Sequence, residues 1–159
     1  GLEGTIEFFP EEGKYHFDGH RKCGVCLSPK EAEKYQGICP VCGKKLTMGV
    51  DHRILQLSDR EEGAFAMPES GRPYESLVPL QEVISACVGF STASKKVQRQ
   101  YELLLENLGA EFQILREVPI EDIGLTGGDV LAEGIRRLRK GEVIRKPGFD
   151  GEYGKIELF

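Results

Sequence analysis

Four cysteines, at 23, 26, 39 and 42, fall in the pattern C-x2-C-x12-C-x2-C. Two intervening residues let both thiolates of a pair reach one ion. Two such pairs supply four sulfurs, a ligand set that suits a tetrahedral structural Zn2+. Gly24 and Gly43 stand where tight turns around a metal need a residue without a Cβ, and Pro40 stiffens the second pair. Two disulfides, or a redox-active Cys-x-x-Cys, would use the same residues. No secretion signal precedes the cysteines and no β-α-β pattern surrounds them, which favours zinc. A metal held by Cys23, Cys26, Cys39 and Cys42 would have no open position. It would hold the fold, one ion per chain, and do no chemistry.

The surroundings of the cysteines carry the next chemistry. The octet Lys14-Tyr15-His16-Phe17-Asp18-Gly19-His20-Arg21 combines aromatics, imidazoles and a carboxylate just ahead of the first pair. His16 and His20 could serve as ligands or base contacts, or as hydrogen-bonded loop histidines. Residues 21–46 hold six basic and two acidic side chains, a local +4 in a chain of net charge −5. That overall balance argues against a strong nonspecific nucleic-acid binder. Arg21, Lys22, Lys44 and Lys45 nevertheless make the cysteine segment the best nucleic-acid candidate by composition. Lys95, Lys96 and Arg99 sit in the first turns of an expected helix, either a phosphate site or a solvated face. Gly127-Gly128 ahead of another helix loosely resembles the hairpin of helix-hairpin-helix modules, or is a plain turn. The helical part contains no nucleophile constellation or phosphate loop.

The elements that must position these groups follow from local signals. Thr5–Phe9 is expected as a strand ended by Pro10. Ser28-Pro29-Lys30-Glu31 is a helix start, with Ser as N-cap, Pro at the first position and Glu at the third, and the helix 29–35 stops at Gly37. Leu46 to Val50 is expected as a strand, and His52–Leu57 as strand or helix. Residues 58–76 form a charged, Pro- and Gly-containing surface connection with Phe65, Met67 and Tyr74 as anchors. One helix starts near Pro79 and stops at Gly89, with Cys87 as a small buried hydrophobe on its apolar face. A second starts at Thr92 or Ser94 and runs to Asn107, its apolar stripe being Val97, Tyr101, Leu104, Leu105 and Leu108, with Gly109 as its stop. A short helix over Phe112–Val118 is closed by Pro119. Ile120–Gly128 is a turn-rich joint. Asp129 caps a last helix, Val130 to Lys140, with Leu131, Ile135 and Leu138 inward and a basic end that complements the helix dipole.

The tail from Glu142 to Phe159 is expected as two extended pieces around the loop Pro147–Lys155, in which Phe149-Asp150-Gly151 echoes Phe17-Asp18-Gly19. A disordered tail would rarely carry Phe149, Tyr153, Ile156, Leu158 and Phe159. The fold class is thus α+β. A small zinc-ribbon-like module (1–57) is joined by a linker (58–78) to a helical module with an extended C-terminal tail (79–159). The hydrophobic fraction is 40%, the charged fraction 30%, and no apolar run approaches the ~20 residues of a membrane span. Five cysteines and no expected disulfide fit a reducing, cytoplasmic setting.

The run from Gly4 to Cys26 resembles the segment that follows the catalytic domain in endonuclease Q proteins. So do Gly37–Lys44, Ser76–Leu80 and Pro147–Ile156. The resemblance spans nearly the whole chain and lacks only the metal-dependent polymerase-and-histidinol-phosphatase (PHP) domain that precedes this part in the family. It implies that the four cysteines are the zinc ligands and that the chain grips damaged DNA. The family enzyme nicks 5′ of deaminated bases such as uracil and hypoxanthine and at abasic sites, with a PHP domain in the same native chain. The isolated chain is then expected to cut no DNA. The loop with Tyr15, His16, Asp18 and His20 and the loop with Phe149, Asp150 and Tyr153 have the make-up of a lesion pocket wall. The alternative is a free-standing zinc-ribbon adaptor for a protein partner, or a nucleic-acid-binding accessory module without enzymatic function.

Overall fold

The computed structural model describes residues 3–59 and 73–159, and these fall into two compact units. One comprises the segment up to Ser76 together with Arg145–Ile156; the other comprises Leu77–Ile144 and Glu157–Phe159. The expected mixed class holds: Cys23, Cys26, Cys39 and Cys42 lie in a unit of short strands, turns and two short helices, and the second unit is helical.

In the first unit Thr5–Glu7 (β1) pairs in parallel with Tyr74–Ser76 (β4), Thr5 opposite Tyr74. Pro10 ends β1's path by opening a short 3-10 turn, Pro10–Glu12. Asp18–His20 (β2) and Val25–Leu27 (β3) form an antiparallel hairpin around the 3-10 turn Arg21–Cys23. Pro29–Lys34 (α1) starts as the sequence dictates: Glu31 reaches back to accept the N–H of Ser28 at 2.9 Å. Leu46 to Val50 was expected as a strand but is not one. Thr47 makes a single bridge to Gly19, and Val50–Leu57 (α2) is already helical. Interactions distant in sequence override the local preference here. The N–H groups of Val50 and Asp51 donate to the carbonyls of Tyr15 and His16, at 2.7 and 3.1 Å, and so close the helix start.

Among the described residues of this unit few apolar side chains are buried: Phe9, Val25 and Ala32, with Pro29 and Cys39. A core that thin usually needs a further staple. Part of it is the tail. Ile144–Lys146 (β5) pairs with Lys155–Glu157 (β6), and the loop between them lies along residues 11–17. Gly148 and Gly154 donate to the carbonyls of Glu11 and Glu12, Gly151 to Lys14, and Phe17 donates back to Gly148. The approach is backbone on backbone: a Cβ at Gly154 would lie 1.9 Å from the Glu11 carbonyl oxygen, which is why that position is glycine.

The second unit has an ordinary core. Leu80–Val88 (α3), Lys95–Leu108 (α4), Glu111–Arg116 (α5), Ile120–Gly127 (α6) and Asp129–Lys140 (α7) pack around buried Leu80, Ile84, Leu104, Ile123, Leu131 and Ile135. Gly89 closes α3 in the left-handed region, and Ser94 caps α4 by accepting the N–H of Val97 at 3.3 Å. The joint expected over Ile120–Gly128 is instead a helix to Gly127. Pro119 starts it and fully buried Ile123 anchors it, so packing outweighs its glycines. Arg139 donates to the carbonyls of Ile114, Leu115 and Val118, groups left open where α5 ends. Cys87 is half-buried with its thiol 3.6 Å from the Val130 carbonyl, and burial pushes it up to about 11. The anchors Phe65 and Met67 lie outside the described residues, whereas Tyr74 is an exposed member of β4.

Candidate metal centre and nucleic-acid interface

The β2–β3 hairpin and the turn after α1 bring four ligand atoms together. One ligand atom each from His20, Cys23, Cys39 and Cys42 lies within 4.8 Å of the other three. The corners of a tetrahedron with metal–sulfur bonds of ~2.3 Å stand roughly 3.8 Å apart, so three thiolates and one imidazole fit a Zn2+ with a small inward shift. Gly24 and Gly43 hold the turns with φ of 63° and 72°, as their positions beside the cysteines anticipate. The thiols themselves show why a cation suits them. Burial, followed by the Cys42 and Cys39 side chains, pushes Cys23 up to about 11. Burial also opposes ionisation of Cys39, but the N–H groups of Cys42 and Val41 aim at its sulfur and bring it down to about 7. A divalent ion relieves such crowding by taking all three as thiolates.

His20 stands where the spacing put Cys26. In the hairpin His20 is paired with Val25 and Gly19 with Cys26, so the pleat sends His20 and Cys26 to opposite faces. Cys26 instead points its thiol toward the Pro147 carbonyl at 3.9 Å. Burial, then the Glu31 and Asp18 carboxylates, push that thiol up to about 11. The His20 ring nitrogen Nδ1 lies 3.5 Å from the Cys42 sulfur. The signal for it in the sequence is a second spacing of the same kind, His-x2-Cys, overlapping the first.

The two loops with a shared aromatic-Asp-Gly core come side by side, with Phe17 bridged to Phe149. Their members divide into two kinds. Asp18 is 2% exposed and faces inward: its carboxylate accepts the Gly49 N–H at 2.6 Å and meets Nδ1 of His52. The expectation that Asp18 lines a pocket is therefore replaced by a structural role, holding Gly49 and His52 where α2 begins. Asp150 likewise accepts from the Thr47 hydroxyl at 2.5 Å and the Arg21 N–H at 2.7 Å. His16 stacks on Phe17 with 5.0 Å between rings. What remains outward is aromatic and basic. Tyr15 and Tyr153 are exposed, Lys14 lies over the Tyr153 ring at 4.6 Å, and the Tyr15 hydroxyl and Arg21 guanidinium both stand over Gly151. Lys22, Lys44 and Lys45 are also exposed. His52 and Thr47, which fix these loops from behind, were not among the residues singled out from the sequence.

In the second unit Lys95, Lys96 and Arg99 line a shallow groove of about 540 Å³ with Gln100 and Leu103. Among the described residues these three cations have no carboxylate partner; Lys96 lies over the Phe90 ring at 4.3 Å. Positive charge at a helix N-terminus opposes the helix dipole. Gln100 also donates to the Gly127 carbonyl at 2.9 Å, so the groove adjoins the α6–α7 junction at Gly127-Gly128.

Comparison with known proteins gives one family and three relatives. Residues 79–142 match the family model described as the MJ0043 C-terminal domain. Over 149 residues the chain is 37% identical to protein MJ0043 of Methanocaldococcus jannaschii, covering 94% of this chain. The crystal structure of the lesion-specific endonuclease Q from Pyrococcus furiosus shares the fold over 96% of this chain, with a TM-score of 0.82 and 32% identity. An endonuclease Q complex with a 27-mer duplex bearing an abasic lesion at the active site matches with a TM-score of 0.77. The chain spans 18% of the length of MJ0043 and 37% of each endonuclease Q chain.

Proposed function

We propose, from this kinship in fold and sequence with endonuclease Q, that the chain is the DNA-gripping and lesion-recognising portion of a repair endonuclease of that type. The observation that carries the reading is the match over 96% of the chain to an enzyme described as lesion-specific. The His20, Cys23, Cys39 and Cys42 cluster holds one Zn2+ that fixes the hairpin and the following turn. Zinc supplies folding free energy there and no activated water, because protein groups fill a tetrahedral shell. Phosphodiester hydrolysis needs a metal with an open position, and that metal belongs to a PHP domain in the same native chain. Arg21, Lys22, Lys44, Lys45 and the groove cations Lys95, Lys96 and Arg99 hold phosphates. Tyr15 and Tyr153 are the outward aromatics against which an unstacked nucleotide at a deaminated base or abasic site rests.

The test is nicking of duplexes carrying uracil, hypoxanthine or an abasic site. The 159-residue chain binds duplex DNA and leaves it intact with any divalent metal, while a longer protein joining it to the PHP domain nicks 5′ of the lesion. Robust nicking by the 159-residue chain alone overturns the division of labour. A longer protein that neither binds nor nicks such duplexes overturns the reading, and leaves the adaptor for a protein partner as its replacement.

A further inference from the structure

Helix α2 is inside out. Its buried residue is His52, bonded to Asp18, while Val50, Ile54 and Leu57 are 59%, 57% and 68% exposed. Those three positions are spaced i, i+4, i+7 and share one face. Met48, just ahead of the helix, is 56% exposed as well. A helix that turns a histidine to its own unit and an aliphatic stripe to solvent is built for a second apolar surface.

We infer that this outward face of α2, with Met48, is where the catalytic domain of the longer protein docks; the inference rests on the endonuclease reading above. DNA is a poor occupant, because four uncharged aliphatic side chains offer nothing to phosphates. A second copy of the chain is a poor one too: four side chains a side fall short of the ~800 Å² per partner that a stable dimer buries. Polypeptide outside this chain is what the relatives have in abundance, since the chain spans only 37% of each endonuclease Q chain. The same arrangement gives the Asp18–His52 contact a second use. It fixes α2 from behind, so the stripe is presented rigidly, and a rigid surface docks without the entropic cost of ordering it.

The experiment is hydroxyl-radical footprinting of Met48, Ile54 and Leu57 in the 159-residue chain and in the longer protein that also carries the catalytic domain. Labelling falls at least five-fold in the longer protein, and labelling of Met48 returns to the short-chain level in an Ile54→Asp, Leu57→Asp double variant. The same double variant in the 159-residue chain keeps its metal content and its helical circular dichroism. Equal labelling in the two proteins overturns the inference, as does protection that survives the double variant. Concentration-dependent protection in the short chain alone assigns the face to a second copy and overturns it too. Nicking at uracil without protection of α2 removes the docking and leaves the endonuclease reading standing; protection without nicking does the reverse.

Discussion

The Asp18 carboxylate joins the amide that opens α2 and the ring of His52, with 2% of the residue exposed. Leaving a buried polar partner unsatisfied costs about 1–3 kcal/mol, and Asp18→Ala strands two, the Gly49 amide and the His52 ring, so it should destabilise the first unit by about 2–6 kcal/mol. Tyr15→Ala, at a half-exposed position, should stay within about 1 kcal/mol. Urea unfolding of both variants, followed by exchange of the Gly49 and Val50 amides, separates the two roles. Asp150 makes a claim about pH. The Thr47 hydroxyl, and after it the Arg21 N–H, hold its carboxyl below the ordinary 3.8 against the effect of burial. A depressed folded value means that the contribution is complete above 3.8 and is lost as pH falls through the lowered value. The protection of the Gly151 amide, the factor by which it exchanges more slowly than an unfolded amide at the same pH, should therefore fall in acid, and Asp150→Asn should flatten that dependence. These roles were only half visible in the sequence. The octet Lys14–Arg21 is rich in site-forming side chains, but composition does not say which ones face inward. Asp18 and Tyr15 are three residues apart and answer to opposite solvents.

At the scale of elements, legibility followed locality. Ser28 with Glu31, Ser94, Gly89, Gly109 and Gly141 act within a few residues of themselves, and the helices they bound lie where those residues put them. Elements decided from afar were not legible. The parallel pairing of β1 with β4 joins residues far apart in the chain, and α2 begins where the carbonyls of Tyr15 and His16 receive it. The metal cluster lies between these cases. Spacing marked the segment and three of the gathered sulfurs. The fourth member of the cluster, His20, was set by the alternation of a hairpin, which a cysteine count does not contain. With few buried apolar side chains among the described residues of the first unit, a metal bound at the cluster would add much of its stability, since structural zinc contributes on the order of 10 kcal/mol in small modules. Removing the metal with a strong chelator should melt the hairpin and the α1 turn and leave Leu77–Ile144 helical. Circular dichroism at 222 nm would then fall only in part, while amide exchange at Gly19, Cys39 and Leu46 would lose its protection. Loss of all helical signal together would show that the units do not fold independently. His20→Ala should weaken metal retention more than Cys26→Ala, read by elemental analysis after dialysis.

For the whole molecule, a net charge of −5 sets the terms of any contact with nucleic acid. Binding should stay near the nonspecific range, tens of micromolar or weaker at physiological salt, unless the cations act together at their two locations. Each phosphate neutralised adds about 0.9 to the salt slope. The variant Lys95→Ala, Lys96→Ala, Arg99→Ala should therefore lower the slope by about 2 to 3, and Lys44→Ala, Lys45→Ala by about 1 to 2, in fluorescence titrations from low to moderate salt. A slope unchanged in both variants would mean that other residues contact the phosphates. The charge distribution was legible in the sequence, and so was the helix start that carries Lys95, Lys96 and Arg99. The open groove beside the α6–α7 junction was not, because it depends on Gln100 reaching Gly127 across the helical unit.

The tail's return to Glu11, Glu12 and Lys14 has a consequence for how the protein is made. Arg145–Ile156 leaves the ribosome well after Glu11–Phe17, yet it completes the same unit. Synthesis runs at roughly 5–20 residues per second, so the cysteine segment waits several seconds for its final backbone partners. The helical unit, interposed between the two halves, is exported in that interval and has most of its own contacts in hand. During the wait the nascent chain exposes reduced thiols with no tail over Cys26. A Zn2+ captured early at the proposed site would guard Cys23, Cys39 and Cys42 in that interval, so zinc supplied during translation should give a better yield of folded protein than zinc supplied after it.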